Sequence, residues 1–195
     1  MKLQLVLEPH ADLPALIREA VRGGVTLVQW RDKYYNDRDF YEQGLIVRQV
    51  CRELQVPMVV NDRVDIALAI GADGVHIGQS DLPYEVARRI LPAHMIIGLT
   101  AETLKDVEQA EPLEVAYLAL SPVFETHTKE DTKAPFGLEG VRKARSISRH
   151  RLIAVGGVNR GNIHEVLNAG ADGVAVVSAI CRSSSPCEAA KALVV

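Results

Sequence analysis

The pentapeptide Gly-Ala-Asp-Gly-Val occurs twice in this chain, at residues 71–75 and again at residues 170–174. The two copies start 170 − 71 = 99 positions apart. An interval of this length holds four units of about 25 residues, each long enough for one strand and one helix. The repeat therefore predicts a fold with two related halves, as in a closed barrel of eight such units.

Short β-branched runs alternate with longer amphipathic segments along the whole chain, which is the pattern of a parallel sheet flanked by helices. The predicted strands cover residues 3–7, 25–29, 57–60, 73–77, 95–98, 115–120, 151–155 and 172–177. The predicted helices cover residues 13–22, 38–54, 64–70, 83–91, 102–110, 137–147, 161–169 and 187–193, with Asp12 and Asp81 as plausible caps. This order predicts an α/β protein, a (β/α)₈ TIM barrel that residues 1–195 form as a single domain. A doubly wound open sheet is the alternative, but no G-x-G-x-x-G motif follows the first strand.

The composition argues against several classes of protein. The formal net charge is −3 and charges of both signs are mixed, so we expect no nucleic acid and no membrane as a partner. No run of about eighteen apolar residues and no signal-peptide pattern occurs, which predicts a cytoplasmic location. The three cysteines lack nearby histidines in metal-ligand spacing, so we expect reduced, mostly buried thiols.

The segment after the predicted second strand carries the first group of candidate binding residues. In a parallel barrel, functional groups come from the loops after the strands. Gln29, Arg31 and Lys33 alternate, so they point to one side if the extended conformation persists. Their amide, guanidinium and ammonium groups suit phosphate oxygens. A solvated charged loop is the alternative interpretation.

Two carboxylates follow the third and fourth predicted strands. These are Asp62 and Asp81, and two carboxylates completed by phosphate oxygens and water are the usual way in which proteins hold Mg²⁺. Alternatively, each aspartate caps the helix that follows it. Their shared position at one rim favours the metal site.

The fifth and sixth predicted strands are followed by hydroxyl groups and a cation. Thr100 is either a helix N-cap or a hydroxyl donor to a phosphate. Thr126, Thr128 and Lys129 belong to a loop that is too long for a simple connector, and it could close over a substrate.

The last two strand ends predict a second phosphate site. Gly157 after the seventh strand, with Val177 and Ser178 after the eighth, falls where barrels commonly bind phosphate through backbone N–H groups.

Two residues with ring side chains are also candidates for the site. His76 could pack against a heterocycle or be merely buried, and Tyr117 could line the pocket or fill the barrel interior.

With these residues assembled, the chain resembles the thiamine phosphate synthase (thiamine phosphate pyrophosphorylase) family over nearly its whole length. The motifs that carry the resemblance are Gly24 to Lys33, Val60-Asn61-Asp62, Gly74 to Asp81, Thr126-His127-Thr128-Lys129, Gly156-Gly157 and Ser178-Ala179-Ile180. Several spaced motifs in the right order are far more specific than any one of them.

The resemblance implies a (β/α)₈ barrel that joins hydroxymethylpyrimidine diphosphate to hydroxyethylthiazole phosphate, giving thiamine phosphate and pyrophosphate. It assigns Mg²⁺ to Asp62 and Asp81; the pyrophosphate to Gln29, Arg31, Lys33, Thr100 and Lys129; the surroundings of the pyrimidine to Asn61, His76 and Tyr117; and the thiazole phosphate to Thr126, Thr128, Gly157, Val177 and Ser178. In the dissociative mechanism ascribed to the family, pyrophosphate leaves first, so the leaving group must be neutralised. We therefore expect Arg31, Thr100 and Lys129 to be the catalytic residues.

Two departures from the family pattern bear on substrate affinity: Thr100 stands where the family often has serine, and Trp30 replaces a smaller apolar residue. Two rival functions are compatible with the same fold. A thiazole tautomerase on the same fold has its acid–base histidine where this chain has Pro122. A non-catalytic sensor of thiamine precursors is the other rival. The oligomeric state does not follow from the sequence.

Overall fold

The computed structural model describes residues 2–126 and 133–194, and within them the chain forms a closed barrel of parallel strands. The strands are β1 (Leu3–Val6), β2 (Leu27–Trp30), β3 (Met58–Asn61), β4 (Gly74–Ile77), β5 (Ile96–Ala101), β6 (Tyr117–Leu120), β7 (Leu152–Val155) and β8 (Gly173–Val176). Each strand pairs with the next, and β1 pairs with β8 to close the sheet. The predicted (β/α)₈ architecture is therefore confirmed.

Helices follow the strands around the outside of the barrel. They are α1 (Leu13–Arg22), α2 (Asp37–Glu53), α3 (Val64–Ala69), α4 (Tyr84–Ile90), α5 (Leu104–Ala110), α6 (Gly137–Ile147), α7 (Ile163–Asn168), α8 (Ser178–Cys181) and α9 (Pro186–Lys191). The sequence missed α8, because a helix of four residues has no detectable periodicity. The longest of these helices has 17 residues, and none in the described part of the chain is long and apolar enough to cross a membrane.

The repeated pentapeptide has the same structural role in both halves of the barrel. The Asp73 carboxylate accepts a hydrogen bond from the backbone N–H of Met58 at 2.7 Å, and Asp172 accepts one from Leu152 at 2.8 Å. In each case, the aspartate stands just before one strand and binds the first residue of the preceding strand. The repeat therefore joins β3 to β4 and β7 to β8 at the N-terminal face of the barrel.

Each of these aspartates is also paired with an arginine from the helix that precedes the bound strand. Arg48 of α2 makes two contacts with the Asp73 carboxylate, at 2.6 and 3.0 Å, and Arg145 of α6 contacts Asp172 at 3.1 Å. One helix and two strands are thus connected through a single carboxylate in each half. The 99-residue repeat reflects this shared arrangement.

The strands alternate between a helix-facing side and a side that points into the barrel. The apolar side chains of the barrel interior form a cluster of their own, made of Val6, Leu27, Val59, Tyr117, Ala119, Ile153 and Ala175. Buried polar side chains share this interior: Gln4, Gln29, His76 and Thr100. Polar groups in such a place need partners, because an unpaired buried donor or acceptor costs about 1–3 kcal/mol.

Gly98 makes room for the largest side chain of the barrel interior. It lies beside Tyr117 in the register of β5 and β6 and beside His76 in that of β4 and β5. A Cβ atom at this position would lie 2.1 Å from Cζ of Tyr117. Only glycine therefore lets the tyrosine ring cross β5 and stack on the imidazole of His76, with ring centroids 5.6 Å apart.

Trp30, which replaces a smaller apolar residue of the family pattern, lies on the helix-facing side of the barrel. The indole is 0% exposed, stacks on Phe40 of α2 at a centroid distance of 5.1 Å, and donates its N–H to the Phe40 carbonyl at 3.1 Å. It points away from the barrel interior, since its strand neighbour Gln29 points inward. Trp30 therefore joins β2 to α2.

The cysteines are buried and free, as expected from the sequence. Cys51, Cys181 and Cys187 form no disulfide within the described part of the chain. Burial raises the pKa of Cys51 to about 12 and that of Cys181 to about 11. These two thiols stay protonated at neutral pH and behave as small apolar side chains.

We expect Gly98→Ala to destabilise the fold by roughly 1–3 kcal/mol or more, because the added methyl must displace the Tyr117 ring. Urea unfolding followed by circular dichroism measures this. Gly161→Ala is the matched control, since the nearest atom to its Cβ would be the Asn159 side-chain oxygen at 3.1 Å. Equal unfolding midpoints for the two variants would contradict the account of Gly98.

We expect Trp30→Leu to lower the free energy of unfolding by about 2–4 kcal/mol, because it removes a buried ring and its hydrogen bond. Trp30→Phe, which retains a ring against Phe40, should lose less. Neither change should alter the KM of a substrate bound inside the barrel rim. A raised KM at unchanged stability would show that the departure at Trp30 does act on the site.

Candidate active site

The carboxyl ends of β2 to β5 bring several predicted residues together. Asn61, the last residue of β3, is paired in register with His76 of β4. Thr100 lies inside β5 and not after it, because β5 continues past the predicted end at residue 98 and pairs Thr100 with Ala119 of β6. The Thr100 side chain consequently points into the barrel and is 8% exposed.

The two predicted metal ligands contact each other at this rim. The carboxyl groups of Asp62 and Asp81 are hydrogen-bonded, and Asp81 also accepts the backbone N–H of Gly78 at 2.7 Å. Burial raises the pKa of Asp81, and the neighbouring Asp62 carboxyl raises it further. The side chain of Lys33 forms an ion pair with Asp62. Two carboxylates and one ammonium group therefore form a compact charged cluster.

The alternative interpretation of these aspartates as helix caps is wrong. The N-cap of α3 is Arg63 and that of α4 is Pro83, and neither of these helix starts has a side-chain cap. The capping alternative for Thr100 is wrong as well, because Thr103 caps α5 in a reciprocal capping box with Asp106. Asp62, Asp81 and Thr100 therefore do not cap helices, and their side chains can take part in a site at the rim.

Asp62 has an unusual backbone conformation. Its φ is +62°, and the N–H of Arg63 bonds back to the carbonyl of Asn61 at 2.7 Å, which closes a three-residue γ-turn of the rare positive-φ type. The N–H of Asp62 itself binds the carbonyl of His76 at 2.8 Å. Such strained residues persist only where the surrounding structure holds them, and they cluster at functional sites.

The acidic pair suits a hard cation that a substrate helps to bind. Within residues 2–126 and 133–194, no group of three or more His, Cys, Asp or Glu residues could hold a metal ion. Mg²⁺ requires no such group, since it is commonly bound through one or two carboxylates, waters and substrate phosphates. A pocket of about 180 Å³ lies beside the pair, and its lining includes Lys33, Asn61 and Asp62. Within the described residues, this site therefore fits Mg²⁺ and not a closed zinc site.

A chain of buried hydrogen bonds runs beneath this rim. The hydroxyl of Tyr117 lies 3.0 Å from Nδ1 of His76, and Nε2 of His76 lies 2.8 Å from the hydroxyl of Thr100. Tyr117 is 0% exposed and fills the barrel interior, one of the two roles that the sequence left open. Its burial raises the pKa of the phenol, which is therefore neutral at physiological pH. The imidazole is positioned from both sides.

Two glutamines complete the chain at its lower end. Gln4 donates its amide to the Tyr117 hydroxyl at 3.4 Å, and Gln29 is hydrogen-bonded to the same hydroxyl. Gln29 is 4% exposed, so it supports the site from below, and its contact with pyrophosphate stays a prediction. Gln4 was not predicted from the sequence. Its signal was a polar residue between Leu3 and Leu5 in a strand that is otherwise apolar.

Arg31 extends the positive side of the rim from the end of β2. It is half-buried and lies near Glu8, the second residue after β1. Arg182 binds Glu8 through two contacts of 2.8 and 2.9 Å and is the main cause of the lowered pKa of that carboxyl, to which Arg31 adds a smaller effect. Glu8 was not predicted from the sequence either, because it stands alone after its strand.

The loops after β6 and β7 contact each other at the other side of the rim. Gly157 has a φ of +68°, and a Cβ atom there would lie 2.7 Å from Cβ of Phe124 and 2.8 Å from the carbonyl oxygen of Glu125. A Cβ atom at Gly156 would lie 3.4 Å from the methyl group of Thr126. Glycine is therefore required where the β7 loop passes under the β6 loop.

The short helix α8 begins at the predicted phosphate position. Val177 is its N-cap residue and the exposed Ser178 its first residue. Barrels frequently bind phosphate through the loops after the seventh and eighth strands and a short extra helix. Two further candidates, Thr128 and Lys129, lie outside the described residues, so their positions remain predictions.

The chain is similar in sequence and in structure to proteins of one family. The model of the family described as thiamine monophosphate synthase matches residues 3–180. The thiamine-phosphate synthase of Albidiferax ferrireducens is 51% identical over 178 residues, which are 91% of this chain and 81% of that protein. That of Vibrio parahaemolyticus is 42% identical over 195 residues, covering 98% of this chain and 96% of the relative. A solved structure of thiamine phosphate pyrophosphorylase from Pyrococcus furiosus has a TM-score of 0.89 and 37% identity, covering 98% of this chain and 93% of the other.

Proposed function

The chain belongs to the thiamine monophosphate synthase family, and on this premise we propose that it transfers the hydroxymethylpyrimidine group from its diphosphate to hydroxyethylthiazole phosphate. The products are thiamine phosphate and pyrophosphate. The enzyme is a transferase. A cytoplasmic location, expected from the sequence, is part of the same proposal. Neither rival function is favoured by the relatives, which carry the synthase name.

The observation that carries the proposal is the contact between Asp62 and Asp81 beside Lys33. These two carboxylates would hold Mg²⁺ together with the diphosphate of the substrate, which agrees with the absence of a third acidic or histidine ligand from the described part of the chain. When bound, Mg²⁺ neutralises charge on phosphate oxygens and orients them. The ammonium group of Lys33, which forms an ion pair with Asp62, stabilises the pair without the metal.

Departure of pyrophosphate requires positive charge and hydrogen-bond donors on the leaving group. Arg31 and Lys33 follow β2 on this rim, and the hydroxyl of Thr100 points toward the barrel interior from β5. Lys129 completes the set as the family resemblance predicts. Preorganised donors of this kind act without a general base, so Arg31, Thr100 and Lys129 remain the catalytic candidates.

The two rings and the second phosphate would occupy the remaining parts of the rim. Asn61 and His76 are register neighbours at the ends of β3 and β4, where they would line the pyrimidine site. Tyr117 supports that wall from beneath through its stacked contact with His76. The residues proposed for the thiazole phosphate are Thr126, Thr128, Gly157, Val177 and Ser178.

Release of pyrophosphate from the purified chain tests the proposed function directly. The protein is incubated with Mg²⁺ and both substrates, and pyrophosphate and thiamine phosphate are quantified together. Equal amounts of both are expected, and chelation of Mg²⁺ should abolish the reaction. No release under these conditions would reject the synthase. Isomerisation of the carboxylated thiazole phosphate would then support the tautomerase, and binding without turnover would support the sensor.

Replacement of either acidic residue should separate catalysis from folding. We expect Asp62→Asn and Asp81→Asn each to lower kcat/KM by roughly 100-fold or more, since both remove charge from the proposed metal site. The thermal midpoint should change little, because neither residue caps a helix. Asp65→Asn, at an exposed ion pair with Arg63, is the matched control. A large fall in the midpoint with normal activity would instead assign both residues a structural role.

A further inference from the structure

Five side chains form one continuous hydrogen-bond chain from the bottom of the barrel interior to the rim: Gln4, Gln29, Tyr117, His76 and Thr100. We infer that Tyr117, with Gln4 behind it, sets the direction of this chain, so that the Thr100 hydroxyl is presented to the substrate as a hydrogen-bond donor. Tyr117 and Gln4 are then positioning residues. The identity of the acceptor as pyrophosphate rests on the proposed function.

The direction follows from the capacity of the Tyr117 hydroxyl. A phenol has one O–H donor and an oxygen that accepts two hydrogen bonds. Gln4 donates through Nε2 at 3.4 Å, and Gln29 is bonded to the same oxygen. Burial raises the pKa of Tyr117, and the two amides act in the opposite direction. Because Gln4 donates to this oxygen and its own Oε1 has no partner in the described part of the chain, Nδ1 of His76, 3.0 Å away, is the acceptor left for the O–H.

The tautomer of His76 follows from that donation. A neutral imidazole carries one N–H and one acceptor nitrogen. Since Nδ1 accepts from Tyr117, the proton is on Nε2, which donates to the Thr100 hydroxyl at 2.8 Å. The Thr100 oxygen is thus an acceptor on its inner side. Its own proton is left for an acceptor at the rim.

This direction matters because an anion needs donors that are already oriented. A hydroxyl that turned its lone pairs toward a phosphate would repel it, whereas a donor held in place requires no reorganisation during the reaction. The methyl group of Thr100 restricts χ1 more than serine would. The departure from the family's serine therefore strengthens the orientation of the hydroxyl.

Gln4 supports the inference independently. It is 1% exposed, and its Oε1 atom has no hydrogen-bond partner within the described part of the chain. A buried carbonyl without a partner costs about 1–3 kcal/mol, so a leucine at this position would suit the interior better. Donation by Nε2 to Tyr117 is the contact in the structure that offsets this cost.

The tautomer of His76 tests the inference in the free protein. The full chain is labelled with ¹⁵N-histidine, and the His76 ring signals are assigned by their loss in His76→Gln. Long-range ¹H–¹⁵N correlation spectra separate a protonated from an unprotonated ring nitrogen. We expect a proton on Nε2 alone. A proton on Nδ1, or on both nitrogens, would overturn the inferred direction.

A double-mutant cycle tests the consequence for binding. Tyr117→Phe removes the donor to Nδ1, so it should weaken binding of Mg²⁺–pyrophosphate by roughly tenfold in calorimetry and populate the other tautomer. In a Thr100→Val background, Tyr117→Phe should have no further effect on this binding. The matched control is Tyr84→Phe, whose hydroxyl binds the backbone of Glu114, and it should leave the affinity unchanged.

The outcomes distinguish the inference from the proposed function. An equal loss from Tyr117→Phe with and without the Thr100 hydroxyl would show that Tyr117 does not act through Thr100. Unchanged affinity in the single variant would equally overturn the inference. If the wild-type chain neither binds pyrophosphate nor turns over, while His76 carries its proton on Nε2, the proposed function fails and the direction of the chain stands.

Discussion

The hydroxyl of Tyr117 is the interaction on which the interior of this barrel depends. It joins the buried side chains of Gln4, Gln29 and His76. Each of these hydrogen bonds contributes only about 1 kcal/mol net, but each partner left without one would cost about 1–3 kcal/mol. The ring reaches this position only because Gly98 has no side chain. The same residue, Tyr117, therefore fills the barrel interior and positions the side chains that lead to the rim.

The acidic pair at the rim is the complementary constraint. Burial disfavours two adjacent negative charges, and the raised pKa of Asp81 expresses that cost. The positive-φ turn at Asp62 and the ammonium of Lys33 hold the pair in place despite it. Like charges held together at the end of a strand are typical of a site that binds a cation. This agrees with the proposed Mg²⁺ site.

The sequence predicted most of the architecture, because strand and helix periods are local properties of the chain. It failed where a tertiary contact decides the outcome. An aspartate before a helix has the composition of a cap, so the sequence left capping open for Asp81 although it favoured a shared rim with Asp62, and only the fold excludes the cap. The extent of β5 beyond Gly98 likewise depends on pairing with β6. Gln4 was missed because its partner Tyr117 is 113 residues away.

The repeated aspartates, Asp73 and Asp172, have a consequence for how this scaffold changes over time. They fasten strands and helices at the N-terminal face, whereas the rim residues lie at the opposite ends of the same strands. Residues in the rim loops can therefore be substituted without breaking the hydrogen bonds of Asp73 and Asp172. Stability and chemistry are encoded in separate stretches of each strand–helix unit, and such a barrel can acquire a new substrate while it keeps its fold.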